Sequence, residues 1–129
     1  MTEYIMLFRG GDPAESALSP DELQAYFQRW NDWVESLKAK GIFTNGAPLG
    51  REGKVIQPGD IVTDGPFAES KEVLGGFITI SVATREEALS HARGCPLTEL
   101  GGTVEVRAIA EECPAEAAAK RRQEAGVAG

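Results

Sequence analysis

Short apolar runs separated by two long amphipathic segments predict four main strands and two helices. The runs lie at Tyr4–Arg9, Ile42–Gly46, Gly76–Val82 and Thr103–Ile109. Within the third run, alternation places Ile78 and Ile80 on one face of the strand and Phe77 and Thr79 on the other. The predicted order is strand, helix, strand, hairpin, strand, helix, strand.

Both helices begin at recognisable capping sequences. Ser19, Pro20 and Glu22 have the spacing of a capping box with proline at the first helical position. The apolar residues that follow recur every three or four positions, and we expect most of this stripe to lie in the core: Leu23, Tyr26, Phe27, Trp30, Trp33, Val34 and Leu37. A second capping box at Thr84–Glu87 begins a helix that ends near Gly94.

A small hairpin is predicted between the second and third main strands. Lys54–Gln57 and Asp60–Thr63 flank Pro58-Gly59, a pair placed as a type II turn requires.

Two helices over one face of an antiparallel sheet give a ferredoxin-like α+β sandwich, here with a hairpin insertion. We expect this domain to span residues 1–112, followed by a tail at 113–129 that is partly helical or disordered.

The face of the sheet opposite the helices is predicted to remain open. If the helices cover Ile78, Ile80, Val104 and Val106, the other face carries the mixed set Phe77, Thr79, Glu105 and Arg107. Such a face commonly meets a partner or borders a cavity. We therefore expect a homodimer that packs through this open face or beside it.

Composition narrows the classes of partner. The chain has 129 residues, 42% of them hydrophobic and 26% charged, and a net charge of −7. This charge argues against binding nucleic acid or an anionic membrane. Two cysteines and one histidine are too few for a structural zinc site, and we expect neither a metal nor a cofactor. Since neither a signal peptide nor a membrane-length apolar run is evident, we expect a cytoplasmic protein.

The stretch from Ile61 to Glu72 contains more than a turn needs. Asp64-Gly65-Pro66 has turn chemistry, whereas Phe67 and the charged group Glu69, Lys71 and Glu72 serve no purpose in a simple turn. Two interpretations of Asp64 stay open: a general base in a partly dry cavity, or an Asx-turn carboxylate bonded to nearby backbone amides. Phe67, Glu69 and Lys71 are candidate ligand-binding residues, although the charges could also form a loop-fixing ion pair.

Three further residues could contact a ligand. Arg9 and Arg107 could offer a planar fork to a carboxylate, or either could pair with Glu105 or another surface acid. Trp30 could edge a pocket or be part of the core. His91 is interpreted as a residue at the boundary of the second helix's apolar stripe, and Cys95 as a small buried filler.

The central motif resembles the YCII-related group whose members carry the DGPF signature. The similar residues are Val62–Glu69, Lys71-Glu72, Gly75-Gly76-Phe77, the helix with Glu87-Ala88-Leu89 and the ending Val104–Arg107. The resemblance implies a dimeric α+β barrel-type protein, usually bacterial and cytoplasmic and often encoded near sigma factors. Enzymatic relatives include a dehydrochlorinase and carry a His-Asp pair with the histidine on the first helix, where this chain has none and offers Trp30.

Together these observations favour a protein that binds a small aromatic or acidic molecule, with or without turnover. We expect the pocket between the first helix and the open sheet face, walled by the Asp64 to Phe67 corner. The alternatives are an accessory partner of a sigma factor, a small lyase or isomerase that uses Asp64, and a dimer module with no ligand. The residues do not specify a reaction.

Overall fold

The computed structural model describes residues 1–65 and 73–128. Within these residues, six strands lie at Thr2–Arg9 (β1), Phe43–Pro48 (β2), Gly53–Gln57 (β3), Ile61–Gly65 (β4), Leu74–Val82 (β5) and Thr103–Ala108 (β6). The same described residues contain three α-helices at Pro20–Ala39 (α1), Arg85–Ala92 (α2) and Pro114–Ala128 (α3), with short 3₁₀ turns at Pro13–Glu15 and Pro96–Leu100. The strands begin and end within about two residues of the predicted positions, as is usual for element boundaries.

The main sheet confirms the predicted ferredoxin-like α+β arrangement. Its strand order is β2-β5-β1-β6, and every neighbouring pair is antiparallel. Each half of the domain contributes a strand, a helix and a second strand, so that the first strands of the two halves, β1 and β5, lie at the centre. The β3–β4 hairpin forms a separate two-stranded sheet.

One face of the main sheet carries the core. Alternate residues of β1 are buried, including Met6, and so are Ile78 and Ile80 of β5. Across the β1–β5 ladder, Met6 lies opposite Ile78 and Tyr4 opposite Ile80. The alternation read from the sequence is therefore confirmed, because apolar side chains on one face of a sheet are buried together.

Helix α1 begins as predicted. The Ser19 hydroxyl accepts a hydrogen bond from the Glu22 amide at 3.2 Å, and the Ser19 amide donates to Glu22 Oε1 at 3.1 Å. This reciprocal pair satisfies two amides that the first helical turn leaves unbonded. Within the apolar stripe, Tyr26 is buried, whereas the Phe27 side chain is exposed.

Helix α2 contacts α1 near its C-terminal end. Ala88 and Ala92 are buried, and the indole N–H of Trp33 donates to the carbonyl oxygen of His91 at 3.0 Å. A Cβ on Gly94 would lie 3.1 Å from the Trp33 ring, so the chain leaving α2 also passes close to this indole. His91 is half-buried and holds the two helices together through its backbone.

The hairpin continues further than predicted. Gly59, in the turn, has φ +84°, as a type II turn requires at this position. Asp64 and Gly65 were expected to form a corner, but both lie within β4, where Asp64 pairs with Lys54 and Gly65 with Gly53. Cross-strand pairing with β3 holds this stretch extended and overrides its local turn preference.

Helix α3 follows β6, and its residues up to Gln123 are mostly exposed. Within residues 1–65 and 73–128, none of the helices has both the length and the hydropathy needed to cross a lipid bilayer.

Candidate functional site

The structure separates the predicted site residues into three places. Arg9 and Arg107 lie on the open face of the main sheet, Trp30 lies on the helix-covered side, and Asp64 lies on the hairpin. Phe67, Glu69 and Lys71 fall outside the described residues.

The open face has an apolar centre. In one row across the sheet, Leu7 lies between Phe77 and Glu105; in the next row, Ile5 lies between Thr79 and Arg107. The central side chains of the open face are half-buried, whereas their neighbours in sequence, which point to the helix-covered face, are buried. An apolar surface of this kind in a single chain is suited to contact with a partner or a ligand.

Sequence reasoning missed Ile5 and Leu7 at this face. The run Tyr4–Arg9 was treated as continuously apolar, so its alternation was not used. Tyr4 and Met6 are buried, whereas Ile5, Leu7 and Arg9 share the open side. The parity of positions along β1 was the signal that could have found them.

Charged side chains border the apolar centre, among them Arg9, Glu105 and Arg107. Arg9 Nη1 lies 2.5 Å from Glu105 Oε1, whereas Arg107 Nε lies 3.8 Å from Glu105 Oε2. The Arg107 side chain is 68% exposed. Glu105 is therefore bonded chiefly to Arg9, and Arg107 keeps most of its N–H donors available to another acceptor.

Trp30 belongs to an aromatic cluster on the opposite side of the sheet. Its ring meets Phe8 edge to face with centroids 5.2 Å apart, and it meets Trp33 at 5.5 Å. Phe8 and Trp33 themselves are 6.1 Å apart. These are favourable aromatic geometries, and they account for Trp30 as a residue at the edge of the core.

The Tyr26 hydroxyl is a polar group left over beside this cluster. It is buried, and it has no hydrogen-bond partner among the described residues. Burial raises the pKa of Tyr26; the Trp30 indole N–H opposes this shift, although the two groups do not meet hydrogen-bond geometry. A phenol that stays protonated in this way suits packing better than proton transfer.

The predicted pocket between the first helix and the open face is wrong within one chain. Helix α1 packs on the face that carries Met6 and Ile80, and the open face lies on the other side of the same sheet. Trp30 and Arg107 therefore border different surfaces. The sequence placed both near the sheet but could not say on which side each would lie.

Asp64 lies in solvent on the hairpin. Its side chain is 89% exposed, and its carboxylate accepts a hydrogen bond from the Lys54 ammonium directly across the two strands. The two residues line a shallow surface depression that Arg51, Glu52 and the glycines Gly53 and Gly65 complete. The Asx-turn interpretation is wrong for this chain, because Asp64 occupies a paired strand position and its carboxylate is bonded to a lysine.

The cysteines offer no activated nucleophile. Both are free thiols, with Cys95 buried and Cys113 exposed. Burial raises the pKa of Cys95 to about 11 and so keeps it a thiol at neutral pH. In the part of the chain that the structure describes, His, Cys, Asp and Glu side chains form no group of three that could hold a metal ion.

A model of the YCII-related domain family matches residues 4–113, which is most of the chain. The chain belongs to this family. An uncharacterized protein of Rhizobium meliloti (strain 1021) is 48% identical over 60 residues, which cover 43% of this chain. The matched segment spans 46% of the length of that relative, so the chain corresponds to less than half of it.

Two solved structures resemble the fold more distantly. One is the 5-chloro-2-hydroxyhydroquinone dehydrochlorinase TftG from Burkholderia phenoliruptrix AC1100, solved in complex with 2,5-dihydroxybenzoquinone. It has a TM-score of 0.46 and 16% identity over 85% of this chain and 95% of its own. The other is the protein At3g17210 from Arabidopsis thaliana, with a TM-score of 0.34 and 9% identity over 88% of this chain and 97% of its own. The fold assignment rests on the strand order itself.

Proposed function

We propose that this protein binds a small anionic molecule with an apolar, for example aromatic, body at the open face of its main sheet, without requiring turnover. The observation that supports this function is the state of Arg107, which stands exposed and 3.8 Å from Glu105 beside an apolar surface. A weakly engaged guanidinium at the edge of such a surface is a suitable partner for a carboxylate.

Arg107 is the better candidate of the two arginines. Arg9 is bonded to Glu105 at 2.5 Å and is only partly exposed, so a ligand would have to displace that ion pair. Arg107 can use its planar fork of donors without breaking an equally short contact. Arg9 then acts indirectly, because it holds Glu105 away from Arg107.

The neighbouring side chains match the remainder of such a ligand. Ile5 lies directly opposite Arg107 across the β1–β6 ladder, and Leu7 and Phe77 form the next row. An aromatic acid could place its carboxylate on Arg107 and its ring on this apolar surface. Ligand sites typically combine an apolar lining with a few polar groups that fix orientation.

A second copy of the chain would close the site. In one chain the open face is in contact with water, and a homodimer that packs through this face or beside it would bury its apolar centre. The surface depression that Asp64 lines in the single chain does not include Arg107. A general-base role for Asp64, as in a small lyase or isomerase, would require that second chain.

The test is ligand binding to the arginine variants. We expect thermal shift and calorimetry to find binding among benzoate, salicylate and related aromatic acids. Arg107→Gln should weaken this binding roughly tenfold or more, because a charge-assisted hydrogen bond contributes about 1.5–3 kcal/mol. Arg29→Gln is the matched control, because Arg29 is also exposed and ion-paired, at 2.6 Å with Glu99, but lies on α1.

Two results would contradict the proposal. One is that no aromatic acid, lactone or hydroxyquinol stabilises the protein; the other is that Arg107→Gln binds as tightly as the unaltered chain. In the first case, association with a sigma factor, which the family resemblance implies, becomes the hypothesis to test by pull-down.

A further inference from the structure

Two threonine hydroxyls lie in the same row of the open face as Arg107. Strand register places Thr79 of β5 opposite Ile5 of β1, and Ile5 in turn lies opposite Arg107 of β6. Because neighbouring strands are about 4.8 Å apart, the backbones of Thr79 and Arg107 are separated by about 10 Å. The row therefore runs from a hydroxyl, across an apolar side chain, to a guanidinium.

A β-bulge in β2 brings the second hydroxyl to this row. The pairing of β2 with β5 shifts between Phe43 and Asn45, and Thr44 is the extra residue. A bulge of this kind re-aims a side chain. Here the Thr44 hydroxyl oxygen lies 2.6 Å from the Thr79 hydroxyl oxygen and 3.0 Å from the Thr79 carbonyl oxygen. We call the hydroxyls of Thr44 and Thr79 the hydroxyl pair.

Both protons of the hydroxyl pair are used within the chain. Each threonine hydroxyl has one proton and two lone pairs. At a separation of 2.6 Å, one proton must lie between the two oxygens. If Thr44 supplies that proton, the Thr79 hydroxyl donates to the Asn45 carbonyl oxygen at 3.3 Å; if Thr79 supplies it, the Thr44 hydroxyl donates to the Thr79 carbonyl oxygen. In either arrangement the pair, which is exposed, presents lone pairs to a molecule on the open face.

The charges of the open face do not favour an anion beside the hydroxyl pair. Arg107 stands at the other end of the row, and Arg9 lies further along β1, opposite Thr103. Glu3 follows Ile5 on the same side of β1, towards the start of the strand. A second carboxylate on a ligand would therefore meet hydroxyl lone pairs and a like charge, whereas a hydrogen-bond donor would meet acceptors.

We propose that the hydroxyl pair recognises the end of the ligand opposite its carboxylate, so that the site takes aromatic monocarboxylates with a hydrogen-bond donor, such as a phenol, at the para position. The inference rests on the proposed function, because Arg107 has to hold the carboxylate. The ring would then lie over Ile5, along the row. The proposed function requires only an anionic group and an apolar body; the hydroxyl pair adds the chemistry of the far substituent.

Calorimetric titration with para-substituted benzoates tests this inference. We expect the unaltered chain to bind para-hydroxybenzoate and para-aminobenzoate, which carry donors, roughly threefold to tenfold more tightly than benzoate, as one net hydrogen bond provides. The ether oxygen of para-methoxybenzoate can only accept, so this acid should bind no more tightly than benzoate. Terephthalate, with a second carboxylate, should bind more weakly than benzoate.

Thr79→Val tests the assignment to the hydroxyl pair. Valine keeps the β-branched shape of the side chain but removes the hydroxyl. The ratio of the dissociation constants of benzoate and para-hydroxybenzoate should therefore fall to about one. Thr103→Val is the matched control, because it is the same substitution on the same face but opposite Arg9, and it should keep the ratio of the unaltered chain. Circular dichroism identifies a variant that fails to fold, and in that case the series of benzoates on the unaltered chain still decides.

Three results would overturn the inference: equal binding of benzoate and para-hydroxybenzoate by the unaltered chain, equal binding of para-methoxybenzoate and para-hydroxybenzoate, or a preference for para-hydroxybenzoate that survives Thr79→Val. Its failure can be told apart from failure of the proposed function. If Arg107→Gln weakens the binding of benzoate but the para hydroxyl adds nothing, only the inference fails. If no aromatic acid binds, the proposed function fails and the inference fails with it.

Discussion

Truncation of Ile80 tests whether the helix-covered face is the core of the domain. Ile80 is fully buried and lies opposite both Tyr4 and Phe43 in the central part of the sheet. Ile80→Ala removes three carbons, worth about 2.4 kcal/mol at about 0.8 kcal/mol per buried methylene. The cavity that remains adds to this, so we expect the free energy of unfolding to fall by about 3–4 kcal/mol. The melting temperature should fall by roughly 10 °C.

Ile56→Ala is the matched control for this prediction. It is the same chemical change at a residue of the β3–β4 hairpin that is 75% exposed, and it should lower the free energy of unfolding by less than about 1 kcal/mol. Urea unfolding followed by the fluorescence of Trp30 and Trp33, which lie beside the core, measures both values. The reasoning is refuted if Ile80→Ala costs less than about 1 kcal/mol, or no more than Ile56→Ala.

Three other predictions follow from individual contacts. Trp33→Phe keeps an aromatic ring but removes the bond to the His91 carbonyl, and urea unfolding should show a loss of about 1–2 kcal/mol. Hydrogen bonds from Ser19, chiefly from its backbone amide, hold the pKa of Glu22 below its usual range. The ionised Glu22 carboxylate therefore stabilises the folded protein at pH values above its usual pKa, and this contribution is lost as the pH falls through the lowered pKa. Glu22→Gln should therefore lose less stability than the unaltered chain between about pH 6 and about pH 3; equal losses would contradict this reading. Because burial raises the pKa of Cys95 to about 11 and Cys113 is exposed, mass spectrometry should find Cys113 alkylated well before Cys95 in the folded protein.

The fold was predictable because its signals are local and agree with one another. The capping box at Ser19 begins α1 where the sequence places it, and the alternation of Ile78 and Ile80 identifies the buried side of β5. These features depend on residues close together in the chain. Phe27 is exposed although it belongs to the apolar stripe, because such a stripe does not determine where the solvent boundary falls along a helix.

The candidate site was less predictable, since its geometry depends on contacts between distant parts of the chain. Asp64 was read from its own neighbours as a turn residue, yet its position is set by Lys54, ten residues away, across the hairpin. Likewise, Trp30 and Arg107 were assigned to one pocket because the first helix was expected to border the open sheet face. Only the packing of α1 shows that they lie on opposite sides.

Strand register explains why a site that contains both Asp64 and Arg107 would need two chains. Arg107 lies on the open face because it pairs with Ile5, and Val106, one position earlier, faces the core. Asp64 is held by its pairing with Lys54 in a sheet that is separate from the one containing β6. The surface depression that Asp64 lines includes no residue of β6. A general-base role for Asp64 beside Arg107 therefore depends on a second copy of the chain, and light scattering of the unaltered protein at micromolar concentration tests whether it is a dimer.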